Sequence, residues 1–210
     1  MINAHNLCLS FGEQLIFKNV SFTCNPSDRI GLVGRNGSGK STLLKAIAGK
    51  QSLDDGSIAI VKGANICYVP QEVVLQSAKS IIDETYTAFE FVARLQDKKD
   101  ALDKLLESQP DSVGILEEYA HVCGELYEYD LDALQAEAKK VLMGLGFKES
   151  QLDEPVASLS GGWKMRVVLA KLLLQKADFY LFDEPTNHLD IVAQEWFLQF
   201  LKTAAFGFMI

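Results

Sequence analysis

Gly34, Gly39, Lys40 and Ser41 stand in the order G-x-x-x-x-G-K-S, with Gly37 as a further glycine inside the loop. Glycines let backbone N–H groups turn inward around phosphate oxygens, and a helix starting at the lysine adds its partial positive charge. Lys40 supplies a point charge for the β- and γ-phosphates. Ser41 offers a hydroxyl to Mg²⁺, a cation that keeps much of its water and takes few protein ligands. The pattern predicts a loop that holds a nucleoside triphosphate. A second chemical group, Asp183 and Glu184, follows the apolar run "FYLF". Asp183 is suited to holding Mg²⁺, directly or through water, and Glu184 to polarising an attacking water as a general base.

These residues need elements to position them. The run "RIGLVG", residues 29–34, is short, apolar and partly β-branched and predicts a buried strand. After Lys40 the period changes: Leu43, Leu44, Ile47 and Ala48 share one helical face, and Gly49 is a suitable stop. Residues 179–182 predict a buried parallel strand, whose carboxyl end can meet the ligand of a phosphate loop at the same sheet edge. The stretch "SLSGG", residues 158–162, precedes a helical pattern over 163–175. Ser160 can cap that helix, and the N–H groups of Gly161 and Gly162 would form a second phosphate-binding helix end.

Elsewhere the first third is β-prone. "LCLSFG" and "LIFKNVSFTC" flank the turn "GEQ", and "GSIAIVKGANICYVPQ" predicts a second hairpin around Lys62 and Gly63. From about residue 81 to 107, Val92, Leu95, Leu102, Leu105 and Leu106 recur near helical spacing. Pro110 and Asp111 interrupt, and Leu131, Leu134, Ala138, Val141, Leu142 and Leu145 then share a face before Gly146, which predicts two antiparallel helices joined by a short turn.

Composition narrows the class. The chain of 210 residues is 23% charged and 48% hydrophobic, ordinary values for a globular protein. No apolar run approaches the ~20 residues of a membrane helix. The start "MINAHNLCLS" lacks a basic region followed by an apolar core, and Cys8, Cys24, Cys67 and Cys123 form no C-x-x-C pair. Both features predict a cytoplasmic protein with reduced thiols. The net charge of −8 is concentrated: residues 83–149 carry 16 acidic and 7 basic side chains, a net of −9, so the middle third predicts a separate piece of structure.

Taken together, "GRNGSGKST", "VPQ", "LSGGW" and "YLFDEPTNHLD" resemble the ordered signature of an ATP-binding cassette (ABC) domain: Walker A, Q-loop, signature, and Walker B with D-loop. Within that superfamily, "LSGGW" with "DEPTNHLD" resembles the N-terminal cassette of the ABC-F proteins, which lack membrane spans and mostly act on ribosomes. The resemblance implies an α/β fold, a P-loop NTPase core with an antiparallel β subdomain and a helical, arm-like insertion. It implies one cassette over residues 1–210, divided into a β subdomain and Walker A core (1–80), a helical subdomain and arm (81–150), and a signature, Walker B and D-loop core (151–210).

By the same resemblance, Gly34, Arg35, Asn36, Gly37, Ser38, Gly39, Lys40, Ser41 and Thr42 bind ATP, and Phe11 stacks on adenine. Ser41, Gln71 and Asp183 serve Mg²⁺, Glu184 and Lys40 are catalytic, and Asp190 belongs to the D-loop. Ser160, Gly161 and Gly162 contact the nucleotide of a second cassette, in the same full-length chain or in a homodimer. The ribosome and its RNA are the implied partners. Trp163 stands where transporter cassettes usually carry Gln. The 89 positions from Gln71 to Ser160 are more than a transporter's helical subdomain needs, which suits an arm. The chain stops at "FGFMI", so it is expected to be truncated before the family's switch histidine, a role that none of His5, His121 or His188 can take. Three classes stay open: an ABC-F ATPase, the ATP-binding subunit of a transporter, and a non-catalytic nucleotide-binding fragment.

Overall fold

The computed structural model describes residues 1–71, 75–110, 112–127 and 129–210. They pack as two compact units, Met1–Val74 with Lys176–Ile210, and Leu75–Gln175.

The first unit holds two sheets. β1 (Ile2–Phe11) and β2 (Gln14–Cys24) form the hairpin expected around "GEQ", and β4 (Asp55–Ile60) pairs on the other side of β1, so the antiparallel order is β2-β1-β4. The second sheet is parallel in the order β3-β7-β6-β5, formed by β3 (Arg29–Ile30), β7 (Gly207–Met209), β6 (Phe179–Phe182) and β5 (Ile66–Val69). α1 (Lys40–Ile47) follows the glycine-rich loop as the period change predicts. Its Leu44 and Ile47 pack with Ile2, Cys24, Tyr68, Phe179, Leu181 and Met209 into one core, so the helix that opens at Lys40 is anchored by both sheets. β7 lies so close to its neighbours that a Cβ on Gly207 would come within 2.3 Å of the Pro26 carbonyl and 2.7 Å of the Phe179 ring.

Two expectations in this unit are corrected. The strand predicted over 29–34 is regular only at Arg29–Ile30; beyond it the Leu32 N–H donates to Ile210 O at 2.6 Å, and Val33 is fully exposed as the chain enters the loop. The hairpin predicted around Lys62 and Gly63 is not formed, because β4 joins the antiparallel sheet and β5 the parallel one. The burial explains the split: β4 is largely exposed, whereas Cys67, Tyr68 and Val69 of β5 are buried as a parallel strand requires.

The second unit is helical: α2 (Ile81–Tyr86), a 3₁₀ turn (Thr87–Phe89), α3 (Glu90–Ser108), α4 (Val113–Tyr127), α5 (Leu131–Gly144) and α6 (Gly161–Leu174). The residues of the signature motif therefore fall within the helical unit. α6 packs on α2 and α5, and Lys171 of α6 pairs with Glu84 of α2. The sequence pattern predicts two helices where the structure has a kinked first segment, the α3/α4 hairpin, and α5. The break at Phe89 departs from helical backbone (φ −95°, ψ 50°). α4 buries Val122 and Leu126 against Leu95 and Leu102, with Ile115 and Tyr119 packed beside them, a face at helical spacing that the predicted pattern does not include. Asp111, assigned to the interruption, lies outside the described residues. Arg94, Lys98 and Lys99 of α3 each pair with a carboxylate, on Glu90, Glu118 and Asp103. No helix among the described residues is long and apolar enough to cross a membrane.

Candidate functional site

The loop between β3 and α1 closes through a turn in which Ser38 N–H donates to Arg35 O at 3.1 Å. Gly39 takes a left-handed conformation (φ 94°, ψ 8°) just before the helix. A Cβ there would lie 2.6 Å from Ile16 Cγ2, so the position suits glycine on torsion and on space. Lys40 folds back along the loop, its Nζ donating to Gly34 O at 3.0 Å and Arg35 O at 3.2 Å. Asn36, Gly37, Gly39, Lys40, Ser41 and Thr42 line a cavity of about 330 Å³, shared with Ile16, Gln71 and Glu184.

At the carboxyl end of β6 the two predicted carboxylates separate. Asp183 is buried; its Oδ1 accepts from Ser41 Oγ at 2.7 Å and its Oδ2 from the Tyr68 hydroxyl at 2.9 Å. Burial, and then the bond to Asp183, push the Tyr68 phenol above its usual range, so it stays protonated and donates. Glu184 is half-buried and left-handed (φ 50°); its Oε2 accepts from Gln71 Nε2 at 3.1 Å and Asn187 Nδ2 at 2.7 Å. His188 Nε2 lies 3.3 Å from Gln71 O, a second tie between the segment after β5 and the loop after β6. Asp190 caps α7 (Ile191–Thr203), its Oδ1 accepting from Ala193 N–H at 2.9 Å.

The donor set fits Mg²⁺ and a triphosphate. Ser41 and Asp183 put two hard oxygens 2.7 Å apart beside the first turn of α1. Among the described residues no cluster of three or more His, Cys, Asp and Glu side chains could hold a metal by itself, so a cation here would draw on few charged protein ligands and on phosphate oxygens.

Phe11 ends β1 opposite Gln14 and is 49% exposed; it does not line the cavity, where Ile16 stands instead. In the helical unit, Ser160 is the N-cap residue of α6, but its side chain makes no cap bond, so the bonding expected from sequence is not formed. Its carbonyl accepts from Lys164 N–H at 2.9 Å. Trp163 packs edge-on to Phe147 (4.8 Å) and beneath the Arg166 guanidinium (4.2 Å), and Arg166 in turn donates to Leu145 O. Its place is thus explained by packing within the helical unit. Sequence reasoning missed Tyr68, Asn187 and Ile16. The available signal for Tyr68 was a polar aromatic in an otherwise apolar strand; nothing local marked the other two.

Comparison with known proteins agrees with this geometry. Residues 17–187 match the family model described as "ABC transporter". An uncharacterized ABC transporter ATP-binding protein of Bacillus subtilis, YfmM, is 34% identical over 212 residues, covering 100% of this chain and 41% of that protein. ABC transporter F family member 5 of Arabidopsis thaliana is 32% identical, covering 96% of this chain and 30% of its own length. The probable ATP-binding protein YheS of Escherichia coli (strain K12) is 35% identical, covering 97% and 30%. The chain thus spans about a third of these relatives. A solved ATP-binding subunit of an ABC transporter superposes with a TM-score of 0.65 at 19% identity, covering 100% of this chain and 78% of that one. A putative ABC transporter ATP-binding protein from Pyrococcus furiosus does so at 0.65 and 20% identity, covering 99% and 89%. The resemblance to ABC-F cassettes is borne out by the relatives that match, the P-loop fold by the solved structures, and with the family model matched over most of its length the chain belongs to the ABC transporter family of ATP-binding cassettes.

Proposed function

We propose that the chain is the N-terminal cassette of an ABC-F protein that binds and hydrolyses Mg-ATP, and that its nucleotide-driven closure on a second cassette acts on the ribosome in the cytoplasm. The observation that carries the nucleotide part is the Ser41–Asp183 hydrogen bond, which joins the phosphate loop to the end of β6. The loop N–H groups, the α1 N-terminus and Lys40 hold the β- and γ-phosphates, and Phe11 stacks on the adenine. Ser41, Asp183 and the Gln71 amide oxygen are the protein's ligands for Mg²⁺, directly or through water. The cation supplies charge neutralisation to the transferring phosphoryl group. Glu184, held at one oxygen by Gln71 and Asn187, presents the other to an attacking water as general base. Ser160, Gly161 and Gly162 meet the γ-phosphate bound to the partner cassette, and Asp190 fixes the start of α7 behind the D-loop.

The ABC-F assignment rests on the F family names among the relatives and on the acidic α3/α4 hairpin as the arm. Glu184→Gln tests the chemistry: ATP affinity is expected to hold within about twofold while turnover falls about 10²- to 10⁴-fold. Unchanged turnover, or equal loss of binding, would refute the base assignment. Co-sedimentation of the whole protein with ribosomes, with and without ATP, tests the partner. Binding indifferent to nucleotide would remove the proposed closure.

A further inference from the structure

Tyr68 is a buried phenol that none of the roles above uses. It stands in β5, whose parallel register places it opposite Leu181 and sets Val69 opposite Phe182. The Asp183 N–H donates to Val69 O at 2.9 Å, so the backbone that carries Asp183 is tied to the residue after Tyr68. The Tyr68 ring packs among Ile2, Cys24, Leu44 and Ile47, and Lys50 Nζ sits 4.9 Å from its centroid, just beyond the end of α1. With the ring held on these sides, the hydroxyl delivers its proton to one oxygen only, Asp183 Oδ2 at 2.9 Å. The other oxygen, Oδ1, is the one that reaches Ser41.

We propose that Tyr68 is the positioning residue for the divalent cation: its hydroxyl bond to Oδ2 fixes the rotation of the Asp183 carboxylate so that Oδ1, beside Ser41, faces the metal. The inference rests on the Mg-ATP reading of Ser41 and Asp183. A carboxylate bonded at one oxygen only can swing about χ2, and a bond at each oxygen removes that freedom before a cation arrives. An isolated Asp at a strand end would have to lose it on binding. The hydroxyl itself touches neither nucleotide nor metal in this arrangement.

The test compares wild type with Tyr68→Phe, which keeps the ring. Affinity for a fluorescent ATP analogue is measured in EDTA and in Mg²⁺, and Mn²⁺ bound with ATP is followed by electron paramagnetic resonance. Affinity in EDTA is expected to hold within about twofold, the gain conferred by Mg²⁺ to shrink about tenfold, and the Mn²⁺ spectrum to broaden, as befits loss of one hydrogen bond to a charged group. Tyr68→Leu, with no hydroxyl and an apolar side chain, is expected to repeat the contrast. A Mg²⁺-dependent gain that Tyr68→Phe retains overturns this proposal alone, as does equal loss in EDTA and in Mg²⁺. A wild-type chain that binds nucleotide with no Mg²⁺-dependent gain removes the metal reading underneath it. If neither variant folds, the residue is structural and the proposal is overturned.

Discussion

Gly39→Ala isolates what the phosphate loop demands of its backbone. The residue sits at φ 94°, and an added Cβ would lie 2.6 Å from Ile16 Cγ2. Left-handed backbone costs a residue with a Cβ about 1–2 kcal/mol. Moving the Ile16 methyl aside takes that side chain off its preferred rotamer, for about 0.5–1.5 kcal/mol more. The total is about 1.5–3.5 kcal/mol, or about 10- to 300-fold in an equilibrium constant. The loop can keep its shape, in which case the protein loses that stability, or it can relax, in which case ATP binds more weakly by the same factor. The two losses, read as the urea midpoint and as the ATP dissociation constant by calorimetry, are therefore expected to sum to this total. Adding Ile16→Ala removes the contact and leaves the torsion, so Gly39→Ala should cost about 1–2 kcal/mol in that background. A Gly39→Ala protein with wild-type stability and affinity would refute the argument. Equal cost in both backgrounds would refute the part assigned to Ile16.

Lys40→Ala removes the ammonium that bonds Gly34 and Arg35 and is expected to weaken ATP binding at least about 10-fold in titration calorimetry, the scale of one lost charge-assisted bond; near-normal affinity would exclude the phosphate-loop assignment. If the α3/α4 hairpin is the arm proposed above, it should grip RNA weakly, since residues 83–149 carry a net charge of −9 and Arg94, Lys98 and Lys99 are already paired. Removing residues 90–127 from the whole protein should leave the salt slope of RNA binding unchanged, and a flattened slope would overturn this. Burial raises the Glu84 pKa, but the bonds from Lys171 and Ser77 outweigh it and the net shift is downward from 4.5. A depressed carboxyl contributes stability above its unfolded value and loses it as pH falls through the folded one. The urea midpoint should therefore drop below about pH 4.5 less steeply in Lys171→Met than in wild type, and parallel acid limbs would show that the pair does not set them.

The parts of the site that follow from chain order were legible, and the parts that follow from packing were not. Gly34, Gly39, Lys40 and Ser41 sit in one loop, so their spacing alone brought them together, and four apolar residues announced β6. That Asp183 would meet Ser41 needed only the rule that parallel strands present their carboxyl ends to one edge, and the 2.7 Å bond is its outcome. The separation of β4 from β5 was hidden because Lys62 and Gly63 are turn formers, and a turn between two β-prone runs reads as a hairpin whether or not the runs later pair. α4 was hidden for another reason: its contact face, Ile115, Tyr119, Val122 and Leu126, does recur at helical spacing, but the exposed apolar residues Val113 and Leu116 beside it blur the pattern. Phe11 shows the converse case, a residue found by resemblance whose surroundings at the exposed end of a hairpin carry no local mark of a binding role.

The adjacent carboxylates pose the sharpest version of this difference. Asp183 and Glu184 are chemically alike and one bond apart along the chain, yet one is buried against Tyr68 and Ser41 and the other lines the cavity with Lys40 and Gln71. Continued strand geometry would send their side chains to opposite faces. The left-handed backbone at Glu184 re-aims the second one instead. Such a conformation costs a non-glycine residue about 1–2 kcal/mol and persists only where surrounding bonds hold it. Here they are the two amides on Oε2 and the Asn187 N–H on the Glu184 carbonyl, at 3.3 Å. On the proposed reading, in which Asp183 serves the metal and Glu184 the water, that division of labour follows from one backbone torsion and from the amides of Gln71 and Asn187, which hold two like carboxylates in different surroundings.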